Sequence, residues 1–444
     1  MQIKNLAAIA ITALSTAGCG DSAKLPIAAG IGPNPQLPEP VTTKFPTVNM
    51  ARAVGWPEGR TPVAAEGTSV AAFARGLDHP RWLYVLPNGD ILVAETNSPS
   101  SRGDGGIQEW IQMKVMDYAG AAGKSANRIS LLRDAGKGVS EKPQPFLEGL
   151  NSPFGMALVG DKLYVANTDA VWQFPYVEGQ TRITATGTKI VNLPAQPIGH
   201  WTRNLIASRD GKLLYVTVGS ASNRAEGGLA DEEGRAAIWE LNLAAGTHRI
   251  FASGLRNPNG MVWEPQTGAL WTTVNERDEL GSDLVPDYMT SVTDGSFYGW
   301  PYSYYGNHVD TRVVPPRPDL VAKALVPDYA LGNHTASLGL AYSGSNALPP
   351  AFQIGVFIGQ HGSWNRRPRS GYKVIFVPFS GGKPAGEPKD VLTGFLNADG
   401  EANGRPVGVA IDKQGALLVA DDVGDTVWRV TASTQKNPPA KNPN

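Results

Sequence analysis

The chain repeats itself, and that repetition limits its fold more than any other feature. "GLDHPRWLYVLPNGDILVAETN" begins at Gly76, "LNSPFGMALVGDKLYVANTDAVWQFPY" at Leu150 and "GHWTRNLIASRDGKLLYVTVGSASN" at Gly199. "GLRNPNGMVWEPQTGALWTTVNERDE" begins at Gly254 and "GRPVGVAIDKQGALLVADDVGDTVWRV" at Gly404, with a fainter relative, "HTASLGLAYSGSNALPPAFQIGVFIGQHGSWN", at His334. In each copy a polar entry leads into an apolar strand, a tight turn and a second strand of the type LLYV or ALLV. Further strands such as "VWQFPY", "AIWELNL" or "TVWRV" often follow. Four short antiparallel strands per copy, recurring every few tens of residues, make a β-propeller blade. Six copies therefore predict an all-β fold, a six-bladed β-propeller with four-stranded antiparallel blades.

The ends read differently from the repeat. Lys4, the apolar run Leu6 to Leu14 and the small residues before Cys19 have the form of an export signal over residues 1–19. Cys19, the only cysteine, stands where a bacterial lipoprotein is lipidated, which predicts a periplasmic, envelope-anchored protein. It also excludes an intrachain disulfide. Residues 20–62 are Pro-rich and lack periodicity, so they read as an extended tether. Residues 63–430 hold the propeller, and 431–444 form a polar tail. The 51 glycines and 35 prolines suit many tight turns. With 39 Lys+Arg against 40 Asp+Glu, the chain has no basic footprint for nucleic acid.

In a propeller, residues just before the first strand and just after the second converge on one mouth of the channel. His200, Arg256, Asn257, His334, His361, Arg405, Glu95, Asn167, Glu276 and Asp421 occupy such positions. The six histidines follow no helical zinc spacing, and there is no G-x-S-x-G elbow, P-loop or Rossmann fingerprint. What remains is a general base of the histidine type, with several arginines suited to an anionic ligand. The acidic stretch "NERDELGSDLVPD" could offer oxygens to a hard cation, without EF-hand spacing.

The segments "GHWTRNL", "GLRNPNGM", "VNERDELGSDLVPDYMT", "YGWPY", "GQHGSWNRRPRSGYKV" and "GRPVGVAIDKQGALLVADDVG" together resemble the soluble pyrroloquinoline quinone (PQQ)-dependent sugar dehydrogenases. The likeness is greatest to the L-sorbosone and aldose type, over roughly Val63 to Val430. The resemblance implies a six-bladed propeller that oxidises a sugar or sugar aldehyde with PQQ and calcium. His200 matches the catalytic base, and Arg256 with Asn257 matches the pair beside the quinone oxygens. Arg277 and Asp278 match the loop whose backbone carbonyls hold calcium, although the glucose enzymes carry Gly-Pro there. Arg366, or its neighbour Arg367, matches a basic residue on the PQQ carboxylates; Arg203, His334, His361 and Arg405 complete the expected cofactor contacts. No C-x-x-C-H haem site is present, so electrons are expected to leave to a separate protein or quinone.

A second reading comes from a different class. Propeller lactonases hold one divalent metal through Glu, Asn and Asp side chains, and Glu95, Asn167, Asn275 and Asp421 occupy comparable places. A neutral lactone, however, has no use for the arginine set. A non-catalytic binding platform is a third reading, one with no need of His200 beside Arg256.

Overall fold

The Arg209-Asp210-Gly211 turn shows how each repeat folds. Gly211 takes φ 69°, a left-handed conformation, and its N–H closes onto the Ser208 carbonyl at 3.0 Å. Strand Leu205–Ala207 then returns as Leu213–Val218, paired antiparallel from Leu205↔Val216 to Ala207↔Leu214. The same unit occurs six times in the computed structural model, which describes residues 20–44, 46–99, 118–120, 123–136, 138–344 and 347–433.

Blade 1 runs Pro80–Val85, Ile91–Glu95, Arg128–Leu132, Gln144–Leu147, and blade 2 runs Met156–Val159, Lys162–Ala166, Ala170–Pro175, Thr188–Asn192. Blade 3 adds Ala237–Asn242 and Thr247–Ser253 to the hairpin above. Blade 4 comprises Asn257–Trp263, Leu270–Asn275, Pro286–Val292 and Tyr329–Asn333. Blade 5 comprises Ser337–Ser343, Gly355–Gln360, Lys373–Ser380 and Lys389–Thr393. Blade 6 takes Pro406–Ile411, Leu417–Asp421 and Thr426–Ala432 from the end of the chain, and Thr68–Arg75 from before blade 1 supplies its outer strand. That exchange closes the ring.

Each blade is sandwiched between two neighbours, so its second strand is apolar on both faces. Ile91–Glu95 and Leu417–Asp421 are buried throughout. The apolar core is accordingly divided among the blade interfaces. Phe146 of blade 1 meets Met156 and Val165 of blade 2, Leu83 meets Leu418 of blade 6, and Leu340 and Ile358 of blade 5 meet Trp271 of blade 4. Near the axis the inner strands touch backbone to backbone. A Cβ placed on Gly339 would lie 2.2 Å from the Val407 carbonyl of the next blade.

Residues 20–62 are not an extended tether. Asp283 accepts from the Lys24 and Leu25 N–H groups, Ile31–Gly32 adds a fifth strand to blade 4, and Asn49 Nδ2 donates to the Arg366 carbonyl at 2.8 Å. Trp56 Nε1 donates to Asp421 Oδ2 at 2.7 Å, and Val63–Ala64 joins blade 5. Beyond the single 3-10 turn Ile27–Gly30 the segment has no helix among the described residues, yet its backbone groups find partners on blades 4 to 6, so it binds them as a strap. The last strand runs to Ala432, two residues past the expected boundary. The signal segment with Cys19, and residues 434–444, lie outside the described residues.

Candidate active site

His200 precedes the inner strand of blade 3, and Ser220 follows the second strand of the same blade. His200 Nδ1 lies 3.0 Å from both the Ser220 carbonyl and Ser220 Oγ. The carbonyl can only accept, and the Ser220 hydroxyl donates onward to the Ser222 carbonyl at 2.7 Å. Nδ1 must therefore carry the proton, which leaves Nε2 with its lone pair. Burial lowers the His200 pKa to about 3, and the nearby Arg256 guanidinium adds to the effect. This environment favours the neutral imidazole. Asn257 is close by: a Cβ on Gly219 would meet Asn257 Oδ1 at 2.4 Å and His200 Cβ at 2.6 Å.

Arg256 is fixed more tightly than the sequence suggested. Its Nε donates to the Asn223 carbonyl at 3.1 Å, Nη2 to Asn223 Oδ1 at 3.0 Å and Nη1 to the Glu276 carbonyl at 2.7 Å. Nη2 also faces Asp278 Oδ2 at 3.5 Å. Burial pushes the Asp278 carboxyl up, and His334 and Arg256 together outweigh it, so the group is held below its usual range.

A second cluster, built from blades 1, 5 and 6, shares the same mouth. Asp422 Oδ2 accepts from Arg81 Nη1 at 2.6 Å and pairs with His361 Nε2 at 2.9 Å; His79 Nε2 lies at 3.4 Å. Burial raises Asp422, but His361, His79 and Arg81 outweigh it and hold the carboxyl well below the carboxylate range. Trp201 connects the two clusters. It follows His200 in the chain, and the Arg81 guanidinium sits 5.6 Å from its ring centroid. Arg405 lies 5.3 Å from the Tyr372 ring and donates Nη2 to the Ala51 carbonyl at 3.0 Å.

The structure thus brings His200, Arg256 and Asn257 together on one side, and His361 with Arg405 on the other. It withdraws the remaining expected residues. Arg203 is buried, with its guanidinium on the carbonyls of Pro194, His200 and Thr202, so it fixes the loop under His200 instead of reaching into the channel. Arg366 donates to the Ser282 and Pro368 carbonyls and faces Asp283, a clamp between two loops. His334 uses both ring nitrogens, on Asp278 at 3.5 Å and on the Gly281 carbonyl at 3.0 Å. Arg277 turns away from the channel into a sealed pair with Asp310 at 2.9 Å, and also donates to the carbonyls of Pro301 and Ser303.

The expected calcium loop is partly engaged by the protein itself: among the described residues the Arg277 carbonyl accepts from no donor, and Glu276 Oε1 and Asp283 Oδ1 are buried without partners, whereas neighbouring carbonyls are taken. The Asp278 carbonyl already accepts from Asn223 Nδ2 at 3.2 Å, the Glu276 carbonyl accepts from Arg256, and Arg312 Nη1 reaches the Glu279 carbonyl at 3.3 Å. Two carboxylates of the lactonase ligand set are likewise engaged. Glu95 accepts from Arg128 and Ser130 and from the Asp78 N–H. Asp421 accepts from two indoles and two backbone N–H groups. Among the described residues no three His, Cys, Asp or Glu side chains are placed to hold a metal.

PQQ does fit. The mouth leaves the Arg81 and Arg405 Nε–H donors buried without protein partners, and it sets aromatic rings beside both guanidinium groups. That donor chemistry suits a planar polycarboxylate. Sequence reasoning missed Arg81, Asp422, Asn223 and Trp201. Arg81 sits in "HPRW" at the start of an inner strand, the position that singled out the other candidates. Asn223 lies in a loop between strands, where the repeat gives no register.

The result is a closed six-bladed ring with a half-buried histidine and convergent arginines at one mouth. Comparison with known proteins gives the family. Residues 62–291 and 321–433 match the TrAA12-like family, and the chain belongs to it. A pyrroloquinoline quinone-dependent sugar dehydrogenase of Hypocrea jecorina is 23% identical over 65% of this chain and 66% of its own length. A pyrroloquinoline quinone-dependent pyranose dehydrogenase of Coprinopsis cinerea is 23% identical over 71% of this chain, which spans only 44% of that relative. A calcium structure of the Trichoderma reesei family AA12 enzyme superposes with a TM-score of 0.68 at 18% identity, covering 87% of this chain and 99% of that one.

Proposed function

We propose that the protein oxidises a sugar or sugar aldehyde with PQQ, His200 acting as the general base. The observation that supports this most directly is the His200 tautomer: Nδ1 is fixed on Ser220, which leaves Nε2 with its lone pair, in a side chain near Asn257 and within the field of Arg256. Bound PQQ would supply the two-electron acceptor for the hydride that leaves the substrate carbon. Arg81 and Arg405 would hold its carboxylates through the buried Nε–H groups that lack protein partners. His200 Nε2 takes the hydroxyl proton, and the Arg256 charge favours the negative charge that develops nearby. The electrons would pass to a separate acceptor protein or quinone. Export to the periplasm and a lipid anchor at Cys19 belong to the same proposal.

The test is dye reduction by purified protein mixed with PQQ, using a panel of aldoses, L-sorbosone and simple polyols. Reduction with at least one sugar supports the reading. No reduction across the panel, together with no visible-range cofactor spectrum, would sink it.

A further inference from the structure

We propose that Glu232 is a positioning residue for His200, acting on the base through one peptide group, that of Ser220 and Ala221. The inference rests on the PQQ reading above for the reaction it serves; the bonds that carry it lie within the protein.

Glu232 ends the short turn Leu229–Glu232 and is buried. Among the described residues no Lys, Arg or His forms a salt bridge with it, so its charge rests on hydrogen bonds. Both oxygens are spent on one loop. Oε2 accepts from the Ala221 N–H at 2.7 Å, and Oε1 accepts from the Ser222 hydroxyl at 2.6 Å. Ser222 Oγ in turn accepts from the Ala225 N–H at 3.0 Å.

The Ser220 carbonyl and the Ala221 N–H are opposite ends of one planar unit. With the N–H held by Glu232, the direction of the carbonyl is set, and it points at His200. It accepts the His200 N–H and Nδ1–H, each at 3.0 Å, so both of its lone pairs go to the base. A negative charge at the N–H end also polarises the unit and strengthens the carbonyl as an acceptor. The stronger that bond, the more firmly the proton stays on Nδ1 and the more basic Nε2 becomes. Close packing holds the two segments together: a Cβ on Gly199 would lie 2.1 Å from the Ala221 carbonyl. The same loop continues into Asn223, whose carbonyl and Oδ1 hold Arg256. One buried charge thus orders the supports of both residues.

Proton–nitrogen NMR of the purified full chain, with isotope-labelled histidine rings, tests this without cofactor. The His200 signals are assigned by their loss in His200→Gln, and wild type should show the Nδ1–H tautomer. In Glu232→Gln the amide oxygen can still take the Ala221 N–H and the NH2 can donate to Ser222 Oγ, so only the charge is lost. The Nδ1 proton should then move upfield, with kcat lowered about 3- to 10-fold and PQQ affinity within about twofold of wild type. Glu232→Ala should give mixed His200 tautomers and lower kcat by at least about tenfold, in protein whose circular dichroism matches wild type. Glu232→Gln carries the test if Glu232→Ala does not fold. Glu233→Ala removes the exposed charge next in the chain and should move neither readout. An unmoved His200 signal in Glu232→Gln, or an equal shift in Glu233→Ala, overturns the proposal. If wild type reduces no dye with any sugar, the PQQ reading fails, and the His200 spectrum still decides this one.

Discussion

At the scale of single residues, the chemistry depends on which nitrogen of His200 carries a proton. Removing the side chain, in His200→Ala, should leave PQQ affinity close to wild type and lower kcat by roughly two to four orders of magnitude. Equal losses of binding and rate would make His200 structural. Ser220→Ala keeps the carbonyl acceptor and removes only Oγ. It should lower kcat by roughly 2- to 10-fold, the worth of one hydrogen bond near 1 kcal/mol. The pH profile carries the same logic. A pKa lowered to about 3 means His200 stays deprotonated as pH falls through 6.5, so kcat/KM should show no His200 inflection between pH 5 and 7. An acid limb near 6.5 that vanishes in His200→Gln would contradict the burial argument. His200 could be picked out in the sequence because it precedes an inner strand. The fates of Arg203, Arg277 and Arg366 could not, because a guanidinium on a mouth loop has two outlets, the channel and the carbonyls behind it. Only the positions of Pro194, Pro301 and Ser282 decide which.

At the scale of elements, the strap changes how the site is held. Trp56 and Trp428 share Asp421 Oδ2, a carboxylate that burial lifts to about 6. Asp421 in turn holds the Arg405 N–H at 2.7 Å. Trp56→Phe removes one donor from this buried acid and should cost about 1–3 kcal/mol, read as a shift in the denaturant midpoint. No shift would mean the strap is only laid on the surface. Strands were legible because alternation and Gly-rich turns recur in register. The strap was not, because its partners are backbone groups of blades 4 to 6, and Pro-rich sequence with no period does not reveal what it will pair with.

At the scale of the whole molecule, the ring closes through sequence-distant contacts, with Thr68–Arg75 completing blade 6 and the inner strands abutting around the axis. The number of blades was legible in the number of repeats, whereas the closure depends on glycines that let neighbouring backbones touch. Gly339→Ala places a methyl 2.2 Å from the Val407 carbonyl, where only the backbone of two blades can yield. It should destabilise the fold by about 1–3 kcal/mol. An unchanged midpoint would contradict the packing described here. The mouth that this ring creates is where His200, Arg81, Arg256 and Arg405 gather. The most direct measurement is single-turnover reduction of PQQ-loaded protein by an excess of sugar, followed at the cofactor's absorption band in wild type and in His200→Ala. The account predicts that both load PQQ to one equivalent, that wild type is reduced by at least one sugar, and that the variant is reduced at least about a hundredfold more slowly. Failure of the wild type to load PQQ, or equal reduction rates in the two proteins, would contradict it.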